Sequence, residues 1–246
     1  MPTLLKLAWR DLRGSGRTLW VFCACLALGV TLIAASGGLY RQVGASLLAD
    51  TRVLFGGDVE VRTRVPLPEE MLEWMQARGT VSRLIEFRTM LMTAAGDAHL
   101  VELQSTDHTY PLYGTVELLP TQALNDALAV RGGVHGAAVD RVLAERLALT
   151  VGERIELGES LLEVRAIIAR QPDRSLRADW SGPPVLISAA ALADTALLQP
   201  GSRPDYRYRV RSETPPEAWR EAFMSAFPDS EAEVRTFIER NARLGE

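Results

Sequence analysis

Residues 59–105, VEVRTRVPLPEEMLEWMQARGTVSRLIEFRTMLMTAAGDAHLVELQS, carry two hydrophobic periodicities in quick succession. Val59 to Arg62 alternates apolar with polar, as a half-buried strand does. Pro68 to Arg78 then repeats at helical spacing: Pro and two glutamates stand in the first turn, Arg78 in the last, and Gly79 just beyond. Met71, Trp74 and Met75 share one face of that helix. Thr80 to Thr93 returns to alternation, Ala94 to Asp97 makes a turn, and His99 to Ser105 pairs back as a hairpin. The order strand, helix, strand, strand predicts an α+β sheet with a helix on one face.

Downstream the composition changes. Asp107 to Gly114 is aromatic and turn-rich, and Pro120 to Gly136 has loop character around a short apolar stretch. Val139 to Leu149, with Val142, Leu143 and Leu147, is expected to be an amphipathic helix. Glu153–Leu157 and Ser160–Ile168 are short strands joined across Gly158–Glu159. Pro184–Ile187 is another, and Ser188 caps a helix over Ala189–Ala196. The earlier pattern then resumes with a strand at Tyr206–Val210. Thr214-Pro215-Pro216-Glu217 reads as a capping box opening a helix that turns Trp219, Ala222, Phe223 and Ala226 inward. Glu231–Thr236 closes as a strand. Two α/β halves flank a β-rich insertion, and both halves are expected to share one sheet.

Upstream, Leu19 to Tyr40 contains no charged residue. As a helix it covers ~33 Å, against a hydrocarbon core of about 30 Å. Lys6, Arg10, Arg13 and Arg17 precede it with only Asp11 against them, which places Met1 to Thr18 in the cytoplasm and the remainder outside. Leu4 to Leu12 can lie flat at the inner face as a short amphipathic helix. A cleaved leader ending near Ala34-Ala35-Ser36 is the alternative, and its apolar core would be unusually long. Leu39, Val43, Leu47 and Leu48 continue an apolar stripe at helical spacing beyond the span.

The chain has a net charge of −4, and its N-terminal flank is basic, so the acidic excess lies in the outer part and argues against nucleic acid as a partner. Both cysteines, Cys23 and Cys25, fall in the span and face different directions, so neither a mutual disulfide nor a metal pair is expected. No G-x-S-x-G, H-E-x-x-H, Walker A or C-x-x-C motif occurs, and His99, His108 and His135 lack metal-ligand spacing. Glu69 and Glu70 are explained by their place in a first helical turn. The expectation is no catalytic, cofactor-binding or metal residue, and no enzyme. In the strand around Phe87, Leu84, Met90 and Met92 fall on one face and Ile85, Phe87 and Leu91 on the other. The thioethers suit an adaptable apolar surface, or both faces are covered.

The opening LAWRDLRGSGRTLW before a span resembles the start of permeases of the MacB, FtsX and LolC/LolE type. Gly56-Gly57-Asp58, Tyr110-Pro111-Leu112-Tyr113-Gly114, Leu143 to Gly152, Gln171-Pro172-Asp173 and Gln199 to Arg203 resemble the YbbP-like branch. The resemblance implies an ABC transporter permease of the bacterial inner membrane, with its N-terminus cytoplasmic and residues after about 40 periplasmic. It implies a MacB-like periplasmic core domain made of a split α/β porter part and an inserted β-rich sabre part. The division is then residues 1–18 cytoplasmic, 19–40 transmembrane, 41–57 a helical stalk, 58–106 and 204–236 porter-like, 107–203 sabre-like, and 237–246 the run-up to a second span. A separate ATPase subunit would hold the ATP, no cofactor would sit on this chain, and the cargo would be lipophilic or lipid-linked. Membrane lipid and a periplasmic lysophospholipase-like esterase are the other implied partners. A single-pass adaptor or receptor that recruits an envelope protein without transport is the competing reading, and a secreted hydrolase with a cleaved leader is a third.

Overall fold

The computed structural model describes residue 20 and residues 24–31, 52–174, 182–199 and 201–237. The chain divides into two units, residues 1–50 and 51–246. In the first, Trp20 and residues 24–31 are helical, and the Thr31 hydroxyl donates back to the Ala27 carbonyl at 2.6 Å. Most of the expected span over 19–40 lies outside the described residues, as do Cys23, the N-terminal amphipathic segment and residues 41–51 of the stalk. Among the described residues no helix is long and apolar enough to cross a membrane.

The second unit is built on a mixed sheet. Its elements in chain order are β1 (Val59–Thr63), α1 (Glu69–Gln76), β2 (Thr80–Thr93), β3 (Ala98–Thr106), β4 (Glu117–Leu119), α2 (Leu124–Leu128), β5 (Val130–Arg131), β6 (Val134–Asp140), α3 (Arg141–Leu147), β7 (Arg154–Leu157), β8 (Ser160–Arg170), β9 (Pro184–Ser188), α4 (Ala189–Asp194), β10 (Asp205–Arg211), α5 (Pro216–Ala226) and β11 (Glu233–Thr236). The strand order is β11-β1-β10-β2-β3-β9-β6-β8-β4, with β5 on β6 and β7 bridging β2 and β8. Neighbours are antiparallel except β3 with β9 and β6 with β8. Strands β1 and β10 meet although nearly the whole unit separates them in sequence.

One face of the sheet carries a continuous apolar core from β1 to β8. Val59, Val61, Ile85, Leu91, Leu103, Val139, Val164, Ile187, Tyr208 and Val210 form a single buried cluster with Met75 of α1, Leu143 of α3, Leu192 of α4, and Trp219 and Phe223 of α5. Over it Trp74 meets the edges of Trp219, Phe223 and Phe227 at centroid distances of 5.4–5.8 Å, while Trp219 and Phe223 stack at 5.5 Å. The other face carries a second cluster near the insertion: Tyr110, Val116, Leu118, Leu124, Leu128, Ala138, Ala166, Ile168 and Leu186.

A bulge in β8 lets one strand serve both clusters. Ala137 pairs with Val164 but Ala138 pairs with Ala166, so Arg165 is an extra residue and the alternation reverses there. Leu162 and Val164 face one core, Ala166 and Ile168 the other. The buried Arg165 guanidinium donates to the carbonyls of Ala129 and Val134, and Gln122 donates to the Arg165 carbonyl at 2.8 Å. The carbonyl of the bulged residue is thereby satisfied, and its side chain ties the bulge to the segment leading from α2 into β6.

Several expectations need correction. Residues 134–136, read as loop, and 139–140, read as helix, belong to β6, and α3 begins only at Arg141. The strand was hidden because HGAAV has small side chains and no alternation. Gly136 must be small, since a Cβ there would lie 1.9 Å from the Ala127 carbonyl oxygen. Asp140 caps α3 by accepting from the Val142 amide at 2.9 Å, and Val142 itself is exposed. Short β4 was not foreseen. The capping box at Thr214 does not form: Pro215 takes the cap position without a side-chain bond, and Glu217 instead accepts from the Thr236 hydroxyl at 2.7 Å. Trp219 and Phe223, four residues apart, are the inward residues of α5, with Ala222 and Ala226 exposed.

Candidate functional site: a buried polar clasp

Beyond the second apolar cluster, the same face of the sheet turns polar across β3, β2, β10 and β1. Ion pairs run along it: Arg207 with Glu86 at 2.9 Å, and Arg62 and Arg64 with Asp205 at 2.7 and 3.0 Å. Cross-strand register sets these pairs, because Arg207 lies opposite Leu84 and Arg62 opposite Arg207, which puts them on one face. Arg62 is held above its ordinary pKa, chiefly by its hydrogen bond to Asp205.

The innermost part is built from loops. Gly56 turns the chain at φ +79°, and a Cβ there would run into the Arg209 guanidinium at 2.6 Å. The turn delivers Asp58, 1% exposed, into the interior. Its Oδ2 accepts from the Tyr113 hydroxyl at 2.8 Å and from the Ser212 amide at 3.0 Å, while its Oδ1 faces Arg52 Nε at 3.2 Å. Its backbone N–H donates to the Val210 carbonyl and its own carbonyl accepts from the Phe237 amide at 3.3 Å. Arg52 also sits over the Phe237 ring, 5.0 Å from its centroid.

Next to Asp58 lies a second knot. Arg209 Nε donates to Glu60 at 3.2 Å and its Nη1 to Asp173. Asp173 accepts from the Tyr110 hydroxyl at 2.8 Å, Gln171 donates to that hydroxyl at 2.8 Å and to Gln104 at 2.9 Å, and Gln104 donates to Glu102 at 2.6 Å. Burial alone would lower the Arg209 pKa. The Asp173 and Glu60 carboxylates outweigh it and hold the guanidinium well above its ordinary value. Tyr113 is pushed up to about 12, first by burial and then by its bond to Asp58, so it remains a donor.

These carboxylates are engaged by guanidinium, phenol or amide donors, which suits them to holding loops rather than to accepting protons from a substrate. The histidines stand apart: His108 gives its carbonyl to Asn125, and His135 meets Asp194 at 2.7 Å. His99 lies in β3. Glu69 and Glu70 occupy the first turn of α1. Among the described residues no group of three or more His, Cys, Asp or Glu side chains could hold a metal ion.

Gly56-Gly57-Asp58, Tyr110 to Gly114 and Gln171 to Asp173 are separate motifs in the sequence, and the fold brings them together in this clasp. The stretches Leu143 to Gly152 and Gln199 to Arg203 lie elsewhere, in α3 with its following turn and in the approach to β10. Arg209, the centre of the second knot, was missed. Its one signal was a charged residue in an alternating strand, which reads as solvent-facing.

At the far end of β2 the same face turns apolar and open. Met90 and Met92 are exposed, Leu100 lies opposite Met90, and Leu161 follows beyond Glu156, the neighbour of Met92. On the opposite face of β2, Ile85 and Leu91 are buried and Phe87 half-buried in the main core.

No family model matches the chain. It is 28% identical over 207 residues to an uncharacterized ABC transporter permease, YbbP, of Escherichia coli strain K12, a match that covers 82% of this chain and 24% of that protein. The chain thus spans about a quarter of that relative. The periplasmic region of MacB from Actinobacillus actinomycetemcomitans has the same fold, with a TM-score of 0.53 at 8% identity over 79% of this chain and 96% of that one. The resemblance to MacB-type permeases of the YbbP-like branch stands on a sequence relative and on the fold of a MacB periplasmic region.

Proposed function

We propose that this chain is the first part of the membrane-spanning permease subunit of an ABC transporter, a subunit that couples ATP hydrolysis on a separate ATPase to movement of a periplasmic domain. The observation that carries this reading is the clasp. A domain moved from the membrane needs its connections to the membrane gathered at one firm place, and Arg52 and Phe237, near the two ends of the described unit, meet at Asp58. In this reading residues 19–40 are the span, 41–57 the stalk and 237–246 the approach to a second span. Residues 58–106 and 204–236 form the porter-like part, and 107–203 the sabre-like insertion. The chain itself is no enzyme and holds no cofactor.

Export or extraction of lipophilic or lipid-linked cargo is the function this architecture fits, and the open thioether surface at Met90 and Met92 supports it. The inner membrane is its place, with membrane lipid around the span. A lysophospholipase-like esterase in the periplasm is a further partner that the resemblance suggests.

Affinity purification of the full-length gene product from solubilised membranes tests the reading. It should bring down an ATPase subunit with a phosphate-binding loop, and nucleotide binding should reside on that subunit. A gene product that recovers no ATPase, or stoichiometric nucleotide binding to the periplasmic domain by itself, overturns it.

A further inference from the structure

Asp58 is a shared anchor for segments that are far apart in the chain. Arg52 precedes it by six residues, Ser212 follows β10, and Tyr113 belongs to the loop between β3 and β4 at the root of the 107–203 region. A second contact joins the same partners independently of charge. Gly114, at φ +74°, lies so close to the incoming segment that a Cβ on it would be 3.1 Å from Val53 Cγ1 and 3.0 Å from Pro172. The Tyr110–Gly114 loop therefore touches the incoming segment twice, once through a buried carboxylate and once through close packing.

A carboxylate that is 1% exposed cannot turn to water when a partner leaves, so loss of one donor is felt by the donors that remain. The Tyr113 hydroxyl is also out of reach of ordinary deprotonation, which keeps the bond intact across physiological pH.

We propose that the Asp58 carboxylate is a mechanical joint: displacement of the incoming segment at Arg52 passes through Asp58 to Tyr113 and shifts the 107–203 insertion relative to the β1-β10-β2 half of the sheet. The proposal rests on the permease reading only for the source of the displacement. The joint itself is a property of this chain and is tested without any ATPase.

Peptide-resolved hydrogen exchange on the full chain in lipid nanodiscs provides the test. Tyr113→Phe removes one hydroxyl and should speed exchange in residues 112–119 and 171–174 about tenfold, as expected for loss of a hydrogen bond to a buried charge, while β1 and β10 keep their protection. Arg52→Ala removes a side chain whose ion-pair partner is Asp58 rather than a residue of the insertion. It should nonetheless speed exchange in the same peptides, and should add nothing further in the Tyr113→Phe background. Additive effects, no effect of Arg52→Ala on 112–119, or a uniform rise over the whole unit each overturn the joint. With the ATPase and nucleotide present, a change at 52–58 should reach 112–119 in the parent and stop short of it in Tyr113→Phe. A parent in which 52–58 ignores nucleotide refutes the ATP-coupling reading and leaves the joint decided by the first three variants.

Discussion

The two faces of the sheet are held by different physics. The first is a continuous apolar layer covered by α1, α3, α4 and α5, and its stabilisation is non-directional and roughly proportional to buried area. The second is apolar in the insertion and again at the open end of β2, and between them, across β3, β2, β10 and β1, it is ionic. An apolar layer tolerates volume-conserving exchange, because many arrangements bury similar area. A buried ion pair tolerates few arrangements and adds little net stability, yet breaking it by removal of one member is costly. The first face accounts for why the unit folds, and the second for why the loops at 107–114 and 171–174 take one position on it.

Single substitutions at the two centres should cost similar amounts, and compensated substitutions should separate them. Trp219→Ala empties a fully buried site beneath Trp74 and should cost about 4 kcal/mol in chemical denaturation. Arg209→Met should cost about 3 kcal/mol, since it leaves Glu60 and Asp173 buried without their cation. Adding Glu60→Gln and Asp173→Asn to Arg209→Met should recover much of that loss, whereas no neighbouring change of charge can repair Trp219→Ala. A triple variant as unstable as Arg209→Met alone would break the distinction between the faces.

A smaller effect should appear at alkaline pH. Tyr113 ordinarily titrates near 10 and is raised to about 12 in the folded chain, so the folded state holds its proton where the unfolded state has lost it. Its contribution is fully present below pH 10 and is lost as pH rises towards 12. Thermal melts of the parent should therefore fall more steeply over that window than those of Tyr113→Phe. Equal slopes would place the Tyr113 hydroxyl in water and remove it from the clasp.

The smallest effect on folding is expected where the ionic face opens into the thioether surface. Met90→Ser with Leu100→Ser should cost less than about 1 kcal/mol, because both side chains are already about half exposed. The same variant should release less lipophilic cargo in a reconstituted transport assay. Unaltered cargo movement would show that this surface has no part in it.

Element order and most strand positions were legible because alternation and helical spacing write burial directly into the chain. Thr80–Thr93 is a strand over the very residues that alternate. What stayed hidden depends on contacts distant in sequence. The strand at Val134–Asp140 is made of small residues because α2 presses against it, and Gly136 makes sense only beside the Ala127 carbonyl. The clasp was half legible: Asp58, Tyr110, Tyr113 and Asp173 stood out as members of motifs, but a Gly-Gly-Asp sequence carries no sign that its carboxylate is buried. Nothing local says that a turn at 56–58, a loop at 110–114 and another at 171–173 share one set of hydrogen bonds.

The meeting of Asp58 with Phe237 has a consequence for ancestry. A folded body whose strands leave it side by side, as the Phe237 amide on the Asp58 carbonyl requires, can be spliced into a tight connection of another protein without prying its host apart. Such a body is transferable as a cassette: it can be gained, lost or copied within a gene while the flanking segments keep their spacing.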